Sequence, residues 1–229
     1  MSEPKRLKIN EIFHSVQGEG ARMGMRCVFI RLTGCHLRCT YCDTEYSFFE
    51  GGWRTIDDIL VEVRGFRAPS VEVTGGEPLL QPNVYPLMKA LCDEYPQVML
   101  ETSGAVLIDQ VDPRVIRIVD FKTPSSGEVE RNEWGNVELL TPRDEVKFVI
   151  GSRADYDWSL DAIRRHELER RCPVLLQPVF SHPDAGNLLL AKGYLDPAEL
   201  VAWMLEDKLT ARLSLQIHKY IWSAAARGV

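Results

Sequence analysis

Gly34-Cys35-His36-Leu37-Arg38-Cys39-Thr40-Tyr41-Cys42-Asp43-Thr44 holds three cysteines in a Cys-x-x-x-Cys-x-x-Cys spacing. The apolar run Cys27-Val28-Phe29-Ile30-Arg31-Leu32 ahead of it reads as a strand, so this loop opens at a strand C-terminus. Spacing this close lets one loop wrap its thiolates around a single inorganic centre. A disulfide would use two of them and strand the third. A structural zinc site needs four ligands, and His36, directly beside Cys35, is poorly placed to close a tetrahedron with it. An iron–sulfur cube normally takes four cysteines. Three thiolates leave one iron open to a ligand, and an open iron is a reactive site. A zinc staple of three cysteines and His36 stands as the bland alternative.

Outward from this loop, the chain alternates strand and helix patterns. Residues 7–13 alternate as a first strand and end in the turn Ser15-Val16-Gln17-Gly18-Glu19-Gly20. After Gly51-Gly52, Thr55 is placed to cap a helix running to about Arg64. The β-branched run 70–74 reads as a strand that stops at Gly75-Gly76-Glu77-Pro78, with a helix over 83–94 behind it. Further strands are expected over 97–102, 115–121, 145–150, 173–177 and 212–217, with helices over 154–171 and 196–206. Residues 123–143 and 180–194 read as long irregular loops, a length that usually marks function or mobility. Alternation of this kind implies parallel βα units. The polar and glycine-bearing signals sit at strand C-termini, which in a parallel barrel converge on one face. Some connections are too short for a helix each. The expectation is therefore an α/β fold, a partial and open parallel barrel of about six strands, in a single domain over 1–229.

Composition narrows the class. A hydrophobic fraction of 45% and a charged fraction of 26% suit an ordinary globular protein. Net charge of −6 argues against a duplex nucleic-acid binder, and no apolar run reaches the length that spans a bilayer. Met1-Ser2-Glu3-Pro4-Lys5-Arg6 lacks a secretion signal's apolar core, so the cytoplasm is the expected location. Cys27, Cys92 and Cys172 are scattered singly and read as small core hydrophobes.

The three-cysteine spacing, with Tyr41 just before the third cysteine, resembles the radical S-adenosylmethionine (radical SAM) superfamily. Thr74-Gly75-Gly76-Glu77-Pro78, one βα unit later, resembles that superfamily's Gly-Gly-Glu element. The resemblance implies a 4Fe-4S cluster whose open iron binds S-adenosylmethionine and cleaves it reductively. Gln17-Gly18-Glu19-Gly20, Cys42-Asp43-Thr44 and Gln216-x-His218-Lys219 narrow it to one family along almost the whole chain. That family is the 7-carboxy-7-deazaguanine synthases of the route to queuosine and related 7-deazapurines. Its members convert 6-carboxy-5,6,7,8-tetrahydropterin to 7-carboxy-7-deazaguanine with loss of ammonia. They use Mg2+, form homodimers and draw electrons from a donor such as flavodoxin or ferredoxin.

Position by position, the resemblance implies that Cys35, Cys39 and Cys42 ligate the cluster. Tyr41, Cys42, Asp43, Gly76, Glu77, Glu101, Ser103, Lys122 and Gln177 would surround S-adenosylmethionine, with the Glu77 carboxylate suited to its ammonium. Val16, Gln17, Gly18, Arg31, Thr74, Gln216 and His218 would meet the pterin, Arg31 through its guanidinium fork. The Thr44 hydroxyl would ligate Mg2+, a hard ion suited to oxygen. Each has a plainer reading: Arg31 as a surface arginine, Thr44 as a turn cap, Glu101 and Ser103 as a strand end, His218 as a core histidine. Family members that stop soon after His-Lys-Tyr place a terminal carboxylate at the substrate. Here residues 221–229 continue, so that role is not carried over and another group is expected to complete the wall. The enzyme alternative is an activase that installs a glycyl radical on a partner protein, which leaves Gln17-Gly18-Glu19-Gly20 and Arg31 without a purpose.

Overall fold

The computed structural model describes residues 4–179, 195–223 and 226–229. The expected loop over 180–194, including His182, lies outside the described residues. Among the described residues nine strands form one sheet: β1 (Arg6–Val16), β2 (Arg26–Leu32), β3 (Gly52–Thr55), β4 (Ser70–Gly75), β5 (Gln97–Thr102), β6 (Ile116–Phe121), β7 (Glu145–Ile150), β8 (Val174–Pro178) and β9 (Arg212–Leu213). Their spatial order is β3-β1-β2-β4-β5-β6-β7-β8-β9. From β2 to β9 all seven strands run parallel, whereas β1 pairs antiparallel with both β2 and β3. The partial parallel barrel is thus present, with an antiparallel edge. β3 is an element that sequence reading did not assign: four residues beginning at a glycine carry too little alternation to register.

The helices are α1 (Ile56–Gly65), α2 (Val84–Glu94), α3 (Arg153–Arg165), α4 (Leu168–Arg171), α5 (Pro197–Glu206) and α6 (His218–Ile221). Thr55 caps α1, its hydroxyl accepting from the Asp58 N–H at 3.1 Å, as its position before Asp57-Asp58 implies. Asp196 caps α5 ahead of Pro197. The expected helix over 154–171 is broken in two, because Glu167 adopts a left-handed φ of 49° between α3 and α4. Residues 123–143 are irregular but anchored. Trp134 stacks on Phe121 at 4.6 Å and on His166 at 4.2 Å, and the Asn136 amide satisfies the backbone of Val106 and Ile108.

Strand alternation sorts side chains to two faces. Val28, Ile30 and Leu32 of β2, Val71 and Val73 of β4, and Val98 and Leu100 of β5 join Val119, Phe121, Val146, Phe148, Val174 and Leu176 in the main core. Leu60, Val63, Leu87, Met88, Leu91, Tyr156 and Leu160 of the helices pack into the same core. The opposite, concave face has an apolar floor of Cys27, Phe29, Met99, Ile116 and Ile118, against which Phe13 packs. Two ends of the chain meet to close that face. The Ile217 N–H donates to the Gly18 carbonyl at 2.9 Å, and the Gly20 N–H donates to Ser214 Oγ at 3.2 Å. No helix among the described residues is long and apolar enough to cross a membrane.

One buried ion pair ties β6 to the turn before β7. Arg117 Nη2 and Nε donate to Asp144 at 2.5 and 3.1 Å, and the carboxylate also accepts from the Arg117 and Thr141 backbone N–H groups. Removing one partner strands a buried charge, which costs far more than the pair contributes. Asp144→Ala is therefore expected to destabilise the fold by about 3–5 kcal/mol. Urea denaturation of the variant against the parent measures it.

Candidate active site

Above the apolar floor, the concave face opens into a cavity of about 470 Å³, the size of a small-molecule site. Its lining contains every residue that the sequence nominated except Glu77. Cys35, Cys39, Cys42, Tyr41, Asp43 and Thr44 come from the loop after β2, and Thr74 and Gly76 from the end of β4. Glu101, Ser103, Lys122 and Gln177 come from the ends of β5, β6 and β8. Val16, Gln17, Gly18, Arg31, Gln216 and His218 complete the wall.

The cysteine loop is held from three sides. The Thr40 N–H and hydroxyl donate to the Ser126 and Ser125 carbonyls at 3.0 and 2.6 Å. Arg38 lies over the Phe48 ring at 4.3 Å and donates to the carbonyls of Cys35 and Leu37. The third contact is with the end of β4. Glu77 N–H donates to the Gly34 carbonyl at 2.8 Å, and a Cβ on Gly76 would lie 2.4 Å from that oxygen and 2.6 Å from Cys35 Cβ. Gly75, at φ 153°, has the Leu32 carbonyl 2.4 Å from its own missing Cβ. The glycine pair is thus a close backbone approach that brings β4 against the loop. Burial raises all three thiols, Cys39 to about 11 even with Lys122 nearby. Binding to a metal would require each of them to give up its proton. Among the described residues no three His, Cys, Asp or Glu side chains gather to hold a single metal ion.

Glu77 departs from expectation. Its carboxylate is fully buried outside the cavity and accepts from Thr102 Oγ1 (2.9 Å), the Ser103 N–H (2.8 Å) and hydroxyl (2.5 Å), and the Leu79 N–H (3.0 Å). A carboxylate with its lone pairs engaged in this way braces the β4 and β5 ends instead of facing a ligand.

A charged layer crosses the barrel above the floor. Lys147 Nζ bonds Glu19 at 2.9 Å, pairs with Glu101, and lies 3.8 Å from Asp120. Burial alone would discharge this lysine, but the three carboxylates hold its pKa well above the usual lysine range. Lys122 bonds Asp120 Oδ2 at 2.9 Å, while Asp120 Oδ1 is buried with no partner among the described residues. Sequence reading missed Lys147, Asp120 and Glu72. The available signal was the alternation of β4 and β7: with Val71, Val73, Val146 and Phe148 directed to the helices, Glu72, Thr74 and Lys147 must face inward.

At the mouth, Asp43 accepts from Lys219 Nζ at 2.5 Å, Gln216 Nε2 at 3.2 Å and Thr44 Oγ1 at 2.8 Å. Enclosure would raise this carboxyl, but the Lys219 ammonium holds it well below the normal range. Gly18 leaves space for His218, whose Nδ1 lies 1.9 Å from where a Cβ would be. Burial lowers the His218 pKa from its ordinary value, against the opposing pull of the Glu19 carboxylate. Arg31 Nε donates to Glu11 at 2.7 Å, and its terminal nitrogens make no hydrogen bond to the described residues. The tail beyond His-Lys-Tyr returns to the cavity instead of leaving it. Arg227 stacks on Tyr46 at 3.8 Å and pairs with Glu50 at 3.1 Å, and Val229 lines the wall that sequence reading assigned to some other group.

Comparison with known proteins places this geometry. Residues 29–167 match the Radical SAM superfamily. The 7-carboxy-7-deazaguanine synthase of Chlorobaculum tepidum is 47% identical over 232 residues, covering 100% of both chains. That of Koribacter versatilis is 43% identical over 97% of this chain and 100% of its own. The crystal structure of QueE from Escherichia coli superposes with a TM-score of 0.72 at 24% identity, over 92% of this chain and 94% of that one, a likeness of fold.

The glycine argument is testable without any ligand. Gly76→Ala is expected to lose about 2 kcal/mol or more, since backbone and not a flexible side chain opposes the new methyl. Gly65→Ala in α1, with nothing within 4 Å, is expected to be neutral or stabilising by up to about 1 kcal/mol. Paired denaturation curves decide, and equal effects would reject the close-approach reading.

Proposed function

The chain belongs to the 7-carboxy-7-deazaguanine synthase family of the radical SAM superfamily, and on that premise we propose how its cavity is used. It is a lyase that converts 6-carboxy-5,6,7,8-tetrahydropterin to 7-carboxy-7-deazaguanine with loss of ammonia, a radical ring contraction on the way to 7-deazapurines. One observation carries the reading of the site: the three thiols and the pterin-directed residues, distant in sequence, line one cavity.

The cavity suits the groups that the superfamily uses. Three thiols share a wall with Gly76, where a side chain would collide, and with Asp120 Oδ1, a buried acceptor lacking a donor among the described residues. Cys35, Cys39 and Cys42 would hold the 4Fe-4S cluster. Tyr41, Asp43, Gly76, Glu101, Ser103, Lys122 and Gln177 would surround S-adenosylmethionine. When bound, these two supply one-electron reduction and hydrogen-atom abstraction, the chemistry that side chains lack.

The chain's own residues bind, orient and exclude water. Arg31 is held in place through Nε by Glu11, leaving its terminal nitrogens for the substrate carboxylate. Thr74 and the Val16-Gln17-Gly18 backbone face the ring, and Gln216 and His218 close over it. Thr44 is the Mg2+ ligand in this reading. Its hydroxyl donates to Asp43, which leaves the oxygen lone pairs for a hard cation. The enzyme works in the cytoplasm as a homodimer and takes electrons from a carrier of the flavodoxin or ferredoxin type. The resemblance of the chain to its family supports these last assignments.

Anaerobic incubation with S-adenosylmethionine, reductant and the pterin, read by product mass, tests the reaction. Cys39→Ala is expected to abolish turnover and to lower iron and labile sulfide content. Thr44→Val is expected to lose Mg2+ stimulation while keeping cluster content. Undiminished stimulation by Mg2+ in that variant would remove Thr44 from the metal site.

A further inference from the structure

One buried acid in the cavity has no task in the scheme above. Glu72 projects inward from β4, two residues before Thr74, and is only 2% exposed. The cavity's other side-chain carboxylates each have a cation within salt-bridge distance: Glu19 and Glu101 have Lys147, Asp120 has Lys122 and Asp43 has Lys219. Glu72 has none among the described residues. Its one hydrogen bond comes from the Gln17 amide. That amide is oriented independently, because Gln17 Oε1 accepts from the Glu19 N–H at 3.1 Å and so turns its NH2 toward Glu72. A buried carboxyl that protein donors satisfy so sparingly is costly to keep unless a ligand supplies the rest. Burial and the Glu101 and Glu19 carboxylates raise its pKa well above the usual range, a rise that two ligand N–H donors would oppose by favouring the ionised form.

Position indicates which ligand edge it meets. Strand register sets Arg31 of β2 beside Thr74 of β4, and Phe29 beside Glu72. Glu72 therefore lies two residues deeper than the Arg31–Thr74 pair, roughly 6.6 Å along the strand. Phe13 and Phe29, stacked at 4.9 Å, form part of the same lining. The cavity thus has a guanidinium at the Thr74 level and a carboxyl two residues deeper, with the stacked Phe13 and Phe29 rings at the carboxyl's level. The donor-bearing edge of a pterin is the aminopyrimidinone edge, remote from the carboxylate that Arg31 would take. That edge carries two adjacent donors, the ring N3–H and the exocyclic 2-amino group, which match a carboxylate fork.

We propose that Glu72 is the specificity-determining residue that accepts the N3–H and 2-amino donors of the substrate's aminopyrimidinone edge. The inference rests on the pterin reading of the cavity. Glu72 orients the ring and takes no part in bond breaking.

The test uses reconstituted holoenzyme with S-adenosylmethionine bound, titrated calorimetrically with 6-carboxypterin and with its analogue lacking the 2-amino group. The parent is expected to prefer the amino compound by about 10-fold or more. Glu72→Gln, which replaces one acceptor oxygen by a donor at unchanged size, is expected to weaken the amino compound about 10- to 100-fold and the analogue, which keeps only the N3–H donor, clearly less. The KM for the tetrahydropterin should rise in step, with kcat moving little. Iron content and S-adenosylmethionine affinity report intact folding. If Glu72→Gln lacks cluster, Glu72→Asp substitutes, and it should lose more affinity for the amino compound than for the analogue. A variant that keeps the parent's preference overturns the assignment while the pterin reading stands. A parent that binds neither compound and turns over no pterin overturns both.

Discussion

The contact between the end of β4 and the start of the cysteine loop is the constraint on which the site depends. Gly76 N–H reaches the Leu32 carbonyl at 3.3 Å and Glu77 N–H the Gly34 carbonyl at 2.8 Å, so the parallel pairing of β2 and β4 continues past the strand ends. This extension is possible because Gly75 and Gly76 have no side chains. It draws the loop over the rim of the barrel, where Thr40 and Arg38 secure its far side. Glu77 stabilises the arrangement from behind by joining β4 to Thr102 and Ser103. The Gly-Gly-Glu element is thus a joint before it is a binding surface.

The second organising feature is charge placed where water is scarce. An isolated ammonium or carboxylate inside a barrel is prohibitively expensive, so such groups occur in compensating sets. Lys147 answers Glu19 and Glu101, Lys122 answers Asp120, and Lys219 answers Asp43. The carboxylates outnumber the cations around the cavity. Such a site favours a positively charged occupant, which agrees with a sulfonium cofactor. The apolar floor beneath, from Phe29 to Ile118, limits how far solvent can relieve these charges from below.

Much of this was legible in the chain itself. Local signals gave the strands, since β-branched runs end at glycines, and Thr55 and Asp196 declare their helix starts. The cysteine spacing and the polar strand ends located the cavity. What stayed hidden depends on tertiary partners. Glu77 looks like a ligand group until Thr102 and Ser103 arrive beside it from β5. β3 exists because β1 offers it an edge. Glu167 breaks a helix whose charge pattern runs on unchanged. The Val229 wall was unreadable because nothing in the sequence of residues 221–229 indicates that Arg227 will find Tyr46. Lys147 and Glu72 were readable in principle, but only once the alternation of each strand is assigned a direction.

The closure of the cavity between Gly18 and Ile217 joins positions almost at opposite ends of the polypeptide. Contacts at such separation form late, after loop-closure entropy has been met by nearer ones. During vectorial synthesis the nascent chain can lay down the floor, the helices and the cysteine loop well before residues 214–218 leave the ribosome. Until then Glu19 has no Gln216 beside it and His218 does not cover Gly18. The wall formed by residues 16–20 and 214–218 is accordingly complete only once the sequence up to residue 218 is present.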